Sequence, residues 1–365
     1  MNPASHPSDR FTGLPRRDFL QLLGTGALGL ALSVRGAKAV DFGAGVAPAF
    51  DLSPGPKKLR GLFPIGQTPF TEDNKLDLES LAAQVPFCNR GRVHGFIWPQ
   101  IASDWTTLSE SERLAGAEAL IAAGKGGYTT IVIGVQGPDM ATVTRYAQHA
   151  AKMGADAIVS LPPPGVSDEK VLLDYYQQVG RLTELPLFVQ SQGSMSIDLI
   201  VELFNTIPTF RQVKDEAGVP LERVAELRRR TGDKLRVFSG QGVRTMITEM
   251  ELGVVGHCPY TGLADVYAQA YDLWHAGKRQ QAFDMFGRIL AFGSLGTADW
   301  SDVLAIRGVF KPNYKSRKAG GGGGGGGGRG GAGGGGGGGG RGGMRLTDKE
   351  IREGLDTYLK PYLKG

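Results

Sequence analysis

Residues Thr129–Leu161 read TTIVIGVQGPDMATVTRYAQHAAKMGADAIVSL. An apolar run at Thr129–Val135 is followed by an amphipathic stretch at Asp139–Lys152 and a second apolar run at Ala157–Leu161. This pattern predicts a strand–helix–strand unit with parallel strands. The rhythm extends in both directions. Further strands are expected at Gly61–Ile65, Gly95–Trp98, Pro186–Gln190, Phe210–Lys214, Arg236–Ser239 and Val254–His257. Helical patterns lie between them at Ser109–Gly124, Asp168–Leu182, Ser196–Asn205, Val219–Arg230 and Val243–Leu252. Ser109 with Glu112 three residues on has capping-box spacing. Eight strands, each followed by a helix, predict an α/β fold of the closed (β/α)8 barrel type over residues 59–276. An open dinucleotide-binding sheet is disfavoured, because Gly66-Gln67-Thr68-Pro69-Phe70 after the first strand lacks the glycine spacing of that fingerprint. Gly277–Leu295, Asp299–Phe310 and Thr347–Leu363 read as extra C-terminal helices within 277–365.

The 365 residues are 41% hydrophobic and 21% charged, enough for a large core. Cys88 and Cys258 are the only cysteines, so neither a disulfide framework nor a zinc-ligand spacing is present. The net charge of +5 is drawn largely from Arg10, Arg16, Arg17, Arg35 and Lys38 near the start of the chain. The remainder is close to neutral, which argues against a nucleic-acid partner. Arg16-Arg17-Asp18-Phe19-Leu20, the apolar stretch to Leu32 and Ala37-Lys38-Ala39 read as an export signal cleaved after Ala39. It resembles a twin-arginine signal, so a periplasmic protein that meets the membrane only during export is expected. Residues 40–58 read as a linker. Gly320–Gly343, interrupted only by Arg329, Ala332 and Arg341, reads as a disordered loop, since glycine brings no side chain to a core.

In a barrel of this kind, chemistry belongs at the C-terminal ends of the strands. Those ends carry Thr68, Gln100 to Asp104, Gln136, Pro162 to Pro164, Gln190 to Gln192, Lys214 to Glu216, Ser239 to Gln241 and His257 to Tyr260. Lys214 stands out, closing an apolar strand and aimed into the barrel mouth. Lost solvation there favours the neutral amine, which can add to a ketone and form a Schiff base. The alternative on position alone is an ion pair with Asp215 or Glu216 at the rim.

Several segments, in order, carry a resemblance. Thr68-Pro69-Phe70, Val213-Lys214-Asp215-Glu216-Ala217-Gly218, Phe238-Ser239-Gly240 and Leu252-Gly253-Val254-Val255-Gly256 resemble the dihydrodipicolinate synthase / N-acetylneuraminate lyase family of class I aldolases. The resemblance covers about Leu59 to Phe310. It implies a (β/α)8 barrel with a C-terminal helical extension, commonly a tetramer, acting on pyruvate or another 2-oxo acid. It also implies Lys214 as the imine-forming residue, with no cofactor.

The departures are informative. Gln100-Ile101-Ala102-Ser103-Asp104 stands where the family has Gly-Thr-Thr-Gly-Glu for the substrate carboxylate. The backbone of Ala102 and Ser103, with the Ser103 hydroxyl, is the expected substitute, and Asp104 reads mainly as a loop carboxylate. Gln190 replaces a proton-relaying tyrosine, and an amide cannot act as a general acid or base. Pro162-Pro163-Pro164 replaces a second tyrosine. Gln241 is expected to face the cavity, and Cys258 falls where the family uses a backbone carbonyl. His257 reads as a core histidine, and Trp98 and Trp105 as packing residues. The clustering needed for a metal site is missing. Two functions stand side by side. The first is an imine-forming lyase, cleaving, condensing or dehydrating a 2-oxo acid, with sugar-derived acids among the candidates, but not a true dihydrodipicolinate synthase. The second is a degenerate barrel that binds a small organic acid without turnover.

Overall fold

The computed structural model describes residues 57, 59–240, 243–317 and 345–364. The expected signal at 1–39, the linker at 40–58 apart from Lys57, the glycine tract at 320–343 and Gln241 lie outside the described residues.

Eight strands form one parallel sheet: β1 (Gly61–Leu62), β2 (Gly95–Trp98), β3 (Thr130–Gly134), β4 (Ala157–Ser160), β5 (Leu187–Ser191), β6 (Phe210–Asp215), β7 (Arg236–Ser239) and β8 (Gly256–His257). They are paired in the order β1-β8-β7-β6-β5-β4-β3-β2. The Gly66 N–H donates to the Ile97 carbonyl at 2.9 Å, and the Ile97 N–H to the Pro64 carbonyl at 3.0 Å. These bonds join the two ends of the sheet and close the (β/α)8 TIM barrel. Regular β1 stops short of the expected Gly61–Ile65 because Pro64 has no N–H for the ladder.

The intervening helices are α1 (Leu78–Arg90), α2 (Glu110–Gly124), α3 (Met140–Met153), α4 (Glu169–Val179), α5 (Ile197–Thr206), α6 (Pro220–Thr231), α7 (Met246–Glu251) and α8 (Ala264–His275). Their starts follow local chemistry. Ser109 and Glu112 form the expected reciprocal capping box on α2, and Asp139, Asp168 and Ser196 cap α3, α4 and α5. Two helices escaped delimitation by periodicity. α1 contains Pro86, which reads locally as a breaker, and α8 is buried on nearly every side, so its amphipathic signal is weak.

Inside the barrel, Phe63, Ile65, Ile97, Val132, Ala157, Val159, Phe188, Phe238 and Cys258 pack into one cluster. The Phe63, Phe188 and Phe238 rings lie 5.1–5.8 Å apart. The barrel is therefore a filled core, and a ligand can enter only above that plug. Three further helices follow: α9 (Arg279–Ser294), α10 (Trp300–Ile306) and α11 (Asp348–Gly354). The segment after α10 returns to the barrel. Phe70 and Lys315 exchange backbone hydrogen bonds at 2.9 and 2.7 Å, and Arg317 pairs with Glu112 at 2.7 Å.

Candidate active site

Successive residues of a strand face opposite sides, so Gln212 and Lys214 on β6 share the interior face while Asp215 turns outward. Lys214 is 4% exposed, one step above the aromatic plug, and is in register with Gln190 on β5 and Phe238 on β7. Its Nζ lies 2.8 Å from Glu216 Oε1 and donates to Gln100 Oε1 at 3.4 Å. The other oxygen of Glu216 accepts from Gln190 Nε2 at 2.6 Å. Lys214, Glu216, Gln190 and Gln100 thus form one connected polar group in the mouth. Of the two rim carboxylates open in the sequence, Glu216 is the partner of the lysine.

Asp215 has a separate task. Its carboxylate accepts from Arg223 Nε at 2.9 Å and from Arg223 Nη2 at 3.0 Å. Ser191 donates its hydroxyl to the same carboxylate, while its Oγ accepts the Glu216 N–H at 3.1 Å and the Ala217 N–H at 3.3 Å. Arg223 and Ser191 therefore anchor the turn that carries Glu216.

The β2 loop is more committed than its sequence implied. The Ser103 hydroxyl donates to the Gly66 carbonyl at 2.6 Å and accepts the Gln100 N–H at 3.0 Å. The Ser103 N–H donates to the Gln100 carbonyl at 3.0 Å. Both donors expected for a substrate carboxylate at Ser103 are thus engaged in holding the loop. Ala102 is partly buried against the barrel-interior cluster. Asp104 is exposed, with a left-handed φ of 51°. Thr68 ties the β1 and β2 loops, donating to the Ser103 carbonyl at 2.6 Å and accepting from Trp98 Nε1 at 3.0 Å.

Cys258 belongs to the barrel interior. Burial pushes its thiol up to about 12, so it is a protonated, unreactive group at neutral pH. Tyr260, two residues on, shares its face. The Tyr260 ring stacks on Trp300 with centroids 5.1 Å apart, and burial raises its phenol while Lys214 opposes the rise. The sequence placed Tyr260 at a strand end without giving it a role. His257 points the other way, with Nε2 3.0 Å from Glu249 Oε2 and no exposure, so it sits outside the cavity. Among the described residues, no group of three or more His, Cys, Asp or Glu side chains is placed to hold a metal ion.

Glu216 is the member of the site that sequence reasoning reaches only as a partner for the lysine. The signal that could have found it is the two-residue period, which sets positions 214 and 216 on one face.

The sequence profile of the Dihydrodipicolinate synthetase family matches residues 58–293. A 4-hydroxy-tetrahydrodipicolinate synthase of Rhizobium meliloti is 28% identical over 188 residues, covering 50% of this chain and 63% of that protein. The chain therefore spans under two thirds of the length of that curated relative. Dihydrodipicolinate synthase from Rhodopseudomonas palustris matches with a TM-score of 0.66 at 23% identity, over 82% of this chain and 97% of the other. A catalytic lysine mutant of the Ruminococcus gnavus sialic acid aldolase matches with a TM-score of 0.64 at 16% identity, over 71% and 88%. At these identities the two structures speak for the fold.

Proposed function

Because the chain belongs to the dihydrodipicolinate synthetase family, we propose that it is a class I aldolase-type lyase in which Lys214 forms a Schiff base with a 2-oxo acid. The observation that carries this reading is a 4% exposed lysine in the mouth of a filled barrel, above the aromatic plug. The imine acts as an electron sink, which lowers the barrier to breaking or forming the adjacent C–C bond.

Substrate selection follows from the groups around the amine. Gln100 Nε2 and Gln190 Oε1 are buried without a hydrogen-bond partner, and leaving such groups unpaired is costly. A ligand hydroxyl can satisfy each of them. This favours a 2-oxo acid with hydroxyls on its remaining carbons, as in a sugar-derived acid. Gln190 in place of a relaying tyrosine argues against dihydrodipicolinate synthesis itself.

Binding without turnover is the second reading. It draws on the Lys214–Glu216 ion pair and on the engaged Ser103 hydroxyl. Borohydride reduction in the presence of a panel of 2-oxo acids separates the two. Imine formation adds a fixed mass to the wild-type chain at Lys214 and none to Lys214→Ala. Absence of any adduct across the panel gives the binding reading the field.

The compartment and assembly are proposals of the same kind. The Arg16-Arg17 pair and Ala37-Lys38-Ala39 support export and cleavage after Ala39, and the family resemblance supports a homo-oligomer, commonly a tetramer. Cell fractionation of a double Arg16→Lys, Arg17→Lys variant tests export, and unchanged export removes the twin-arginine reading.

A further inference from the structure

We propose that Glu216 is the proton-transfer residue of the Lys214 imine cycle, in the place left by the missing tyrosines, with Gln190 as the residue that positions it. The proposal rests on the Schiff-base reading above. Its ground is geometric. One carboxylate oxygen lies 2.8 Å from the reacting nitrogen and the other is fixed at 2.6 Å by Gln190. The Glu216 side chain is 21% exposed against 5% for Lys214, so its proton can exchange with water while the amine stays enclosed.

Among the described residues, Asp215, Cys258, Tyr260, Gln100 and Gln190 are less suited to the task. Asp215 is held by Arg223 and Ser191 on the outer face of β6. The Cys258 thiol is buried and protonated, and burial raises the Tyr260 phenol, which makes it a poorer base than a carboxylate for the Lys214 ammonium. Gln100 and Gln190 are amides, which neither give nor take protons usefully.

Glu216 first takes a proton from the Lys214 ammonium, and the amine adds to the C2 carbonyl. Proton transfer gives a neutral carbinolamine. Glu216 returns its proton to the carbinolamine oxygen, which leaves as water, and a protonated imine remains. C3 of the bound acid is then two bonds from Nζ, roughly 2.5 Å by ordinary bond lengths, and so lies near Glu216. Removal of a C3 proton by Glu216 sends the C–H electron pair into a C2–C3 double bond and the imine pair onto nitrogen, giving the enamine. In an aldol cleavage Glu216 instead takes the proton of the C4 hydroxyl. The C3–C4 bond breaks, an aldehyde leaves, and the same enamine is protonated at C3.

Pyruvate tests this without knowledge of the natural substrate, because imine–enamine exchange replaces its methyl hydrogens with deuterium in heavy water. Trapping by borohydride and exchange by NMR are measured on wild type, Glu216→Gln and Glu216→Asp, with exchange expressed per trapped subunit. The expected result is a fall of about 100-fold or more in Glu216→Gln, the scale of lost general acid–base catalysis, and a smaller fall in Glu216→Asp. Should Glu216→Gln fail to trap, Glu216→Asp carries the test: exchange within about tenfold of wild type supports the proposal, and none overturns it. Wild-type exchange in a trapped Glu216→Gln overturns it as well, and so does a trapped wild type that exchanges nothing. A wild type that is never trapped overturns the Schiff-base reading instead, so the two failures are distinguishable.

Discussion

Gly240 faces Glu216 so closely that a Cβ built on it would overlap the carboxylate Oε1 and the side-chain carbons behind it. The first residue after β7 thus sets the room available to a side chain carried by the turn after β6. The Gly240 N–H donates to the Asp215 carbonyl at 3.2 Å, which fixes how near the two segments come. Gly240→Ala is expected to push the carboxylate away from Lys214, because the overlap reaches Glu216 from Cγ to Oε1 and the side chain gives way more readily than backbone. Exchange of pyruvate hydrogens should fall roughly tenfold or more, a part of the roughly 100-fold or larger loss that removing the acid–base group brings, with little change in melting temperature. Unchanged exchange would show that the position of the carboxylate does not matter.

Gln190→Leu keeps the approximate volume of a side chain that is 1% exposed but removes the donor to Glu216. A hydrogen bond to a charged group contributes about 1.5–3 kcal/mol. Borohydride trapping should persist in this variant, while exchange slows by roughly ten- to hundredfold, the equivalent of that loss. Loss of trapping together with exchange would assign Gln190 a role in building the imine itself.

Asp215→Ala leaves Arg223, 12% exposed, without the carboxylate that accepts from two of its nitrogens. Breaking a buried ion pair by removing one partner costs about 3–5 kcal/mol. Thermal denaturation should show a drop of roughly ten degrees, since 1 kcal/mol shifts a large domain by about 2–4 °C. A drop of a degree or less would mean that the Arg223 pair does not anchor the turn after β6.

The barrel was legible because its strands are short β-branched runs, as in Thr130–Gly134, and its helices start at Ser, Asp and capping-box positions. Helix α1 was less legible because Pro86 sits inside it, and a local rule cannot know that the helix continues. Lys214 was legible because a lysine closing an apolar strand is conspicuous. The state of the β2 loop was not. Ser103 is 37 residues from the Gly66 carbonyl to which its hydroxyl donates, and no local pattern reveals that bond. The partner of Lys214 fell between these cases. Asp215 and Glu216 are adjacent in sequence, and only their opposite faces on and beyond β6 separate an anchor from a neighbour of the amine.

Acid should weaken the fold through a half-buried histidine. His275, at the end of α8, is pushed down to about 3 by burial first and then by the positive charge of Arg60 and Arg279. Its unfolded counterpart titrates near 6.5. As pH falls through that value the unfolded chain takes up a proton that the folded chain does not, so stability declines from about pH 6.5 downward and levels off only below about pH 3. Glu249 adds a second loss at lower pH. Burial opposes its charge, but His257, Ser239 and Thr245 outweigh burial and hold its carboxyl below the usual range. That contribution is present above the unfolded value near 4.3 and is lost as pH falls through the folded value. Melting temperature measured between pH 7 and 5 should therefore fall, and more steeply toward pH 5, as the free energy of unfolding approaches a limiting slope of about 1.4 kcal/mol per pH unit for one proton. His275→Gln, which cannot titrate, should flatten that slope while leaving the decline below about pH 4 in place. An unchanged slope in this variant would show that the histidine is not held neutral in the folded protein.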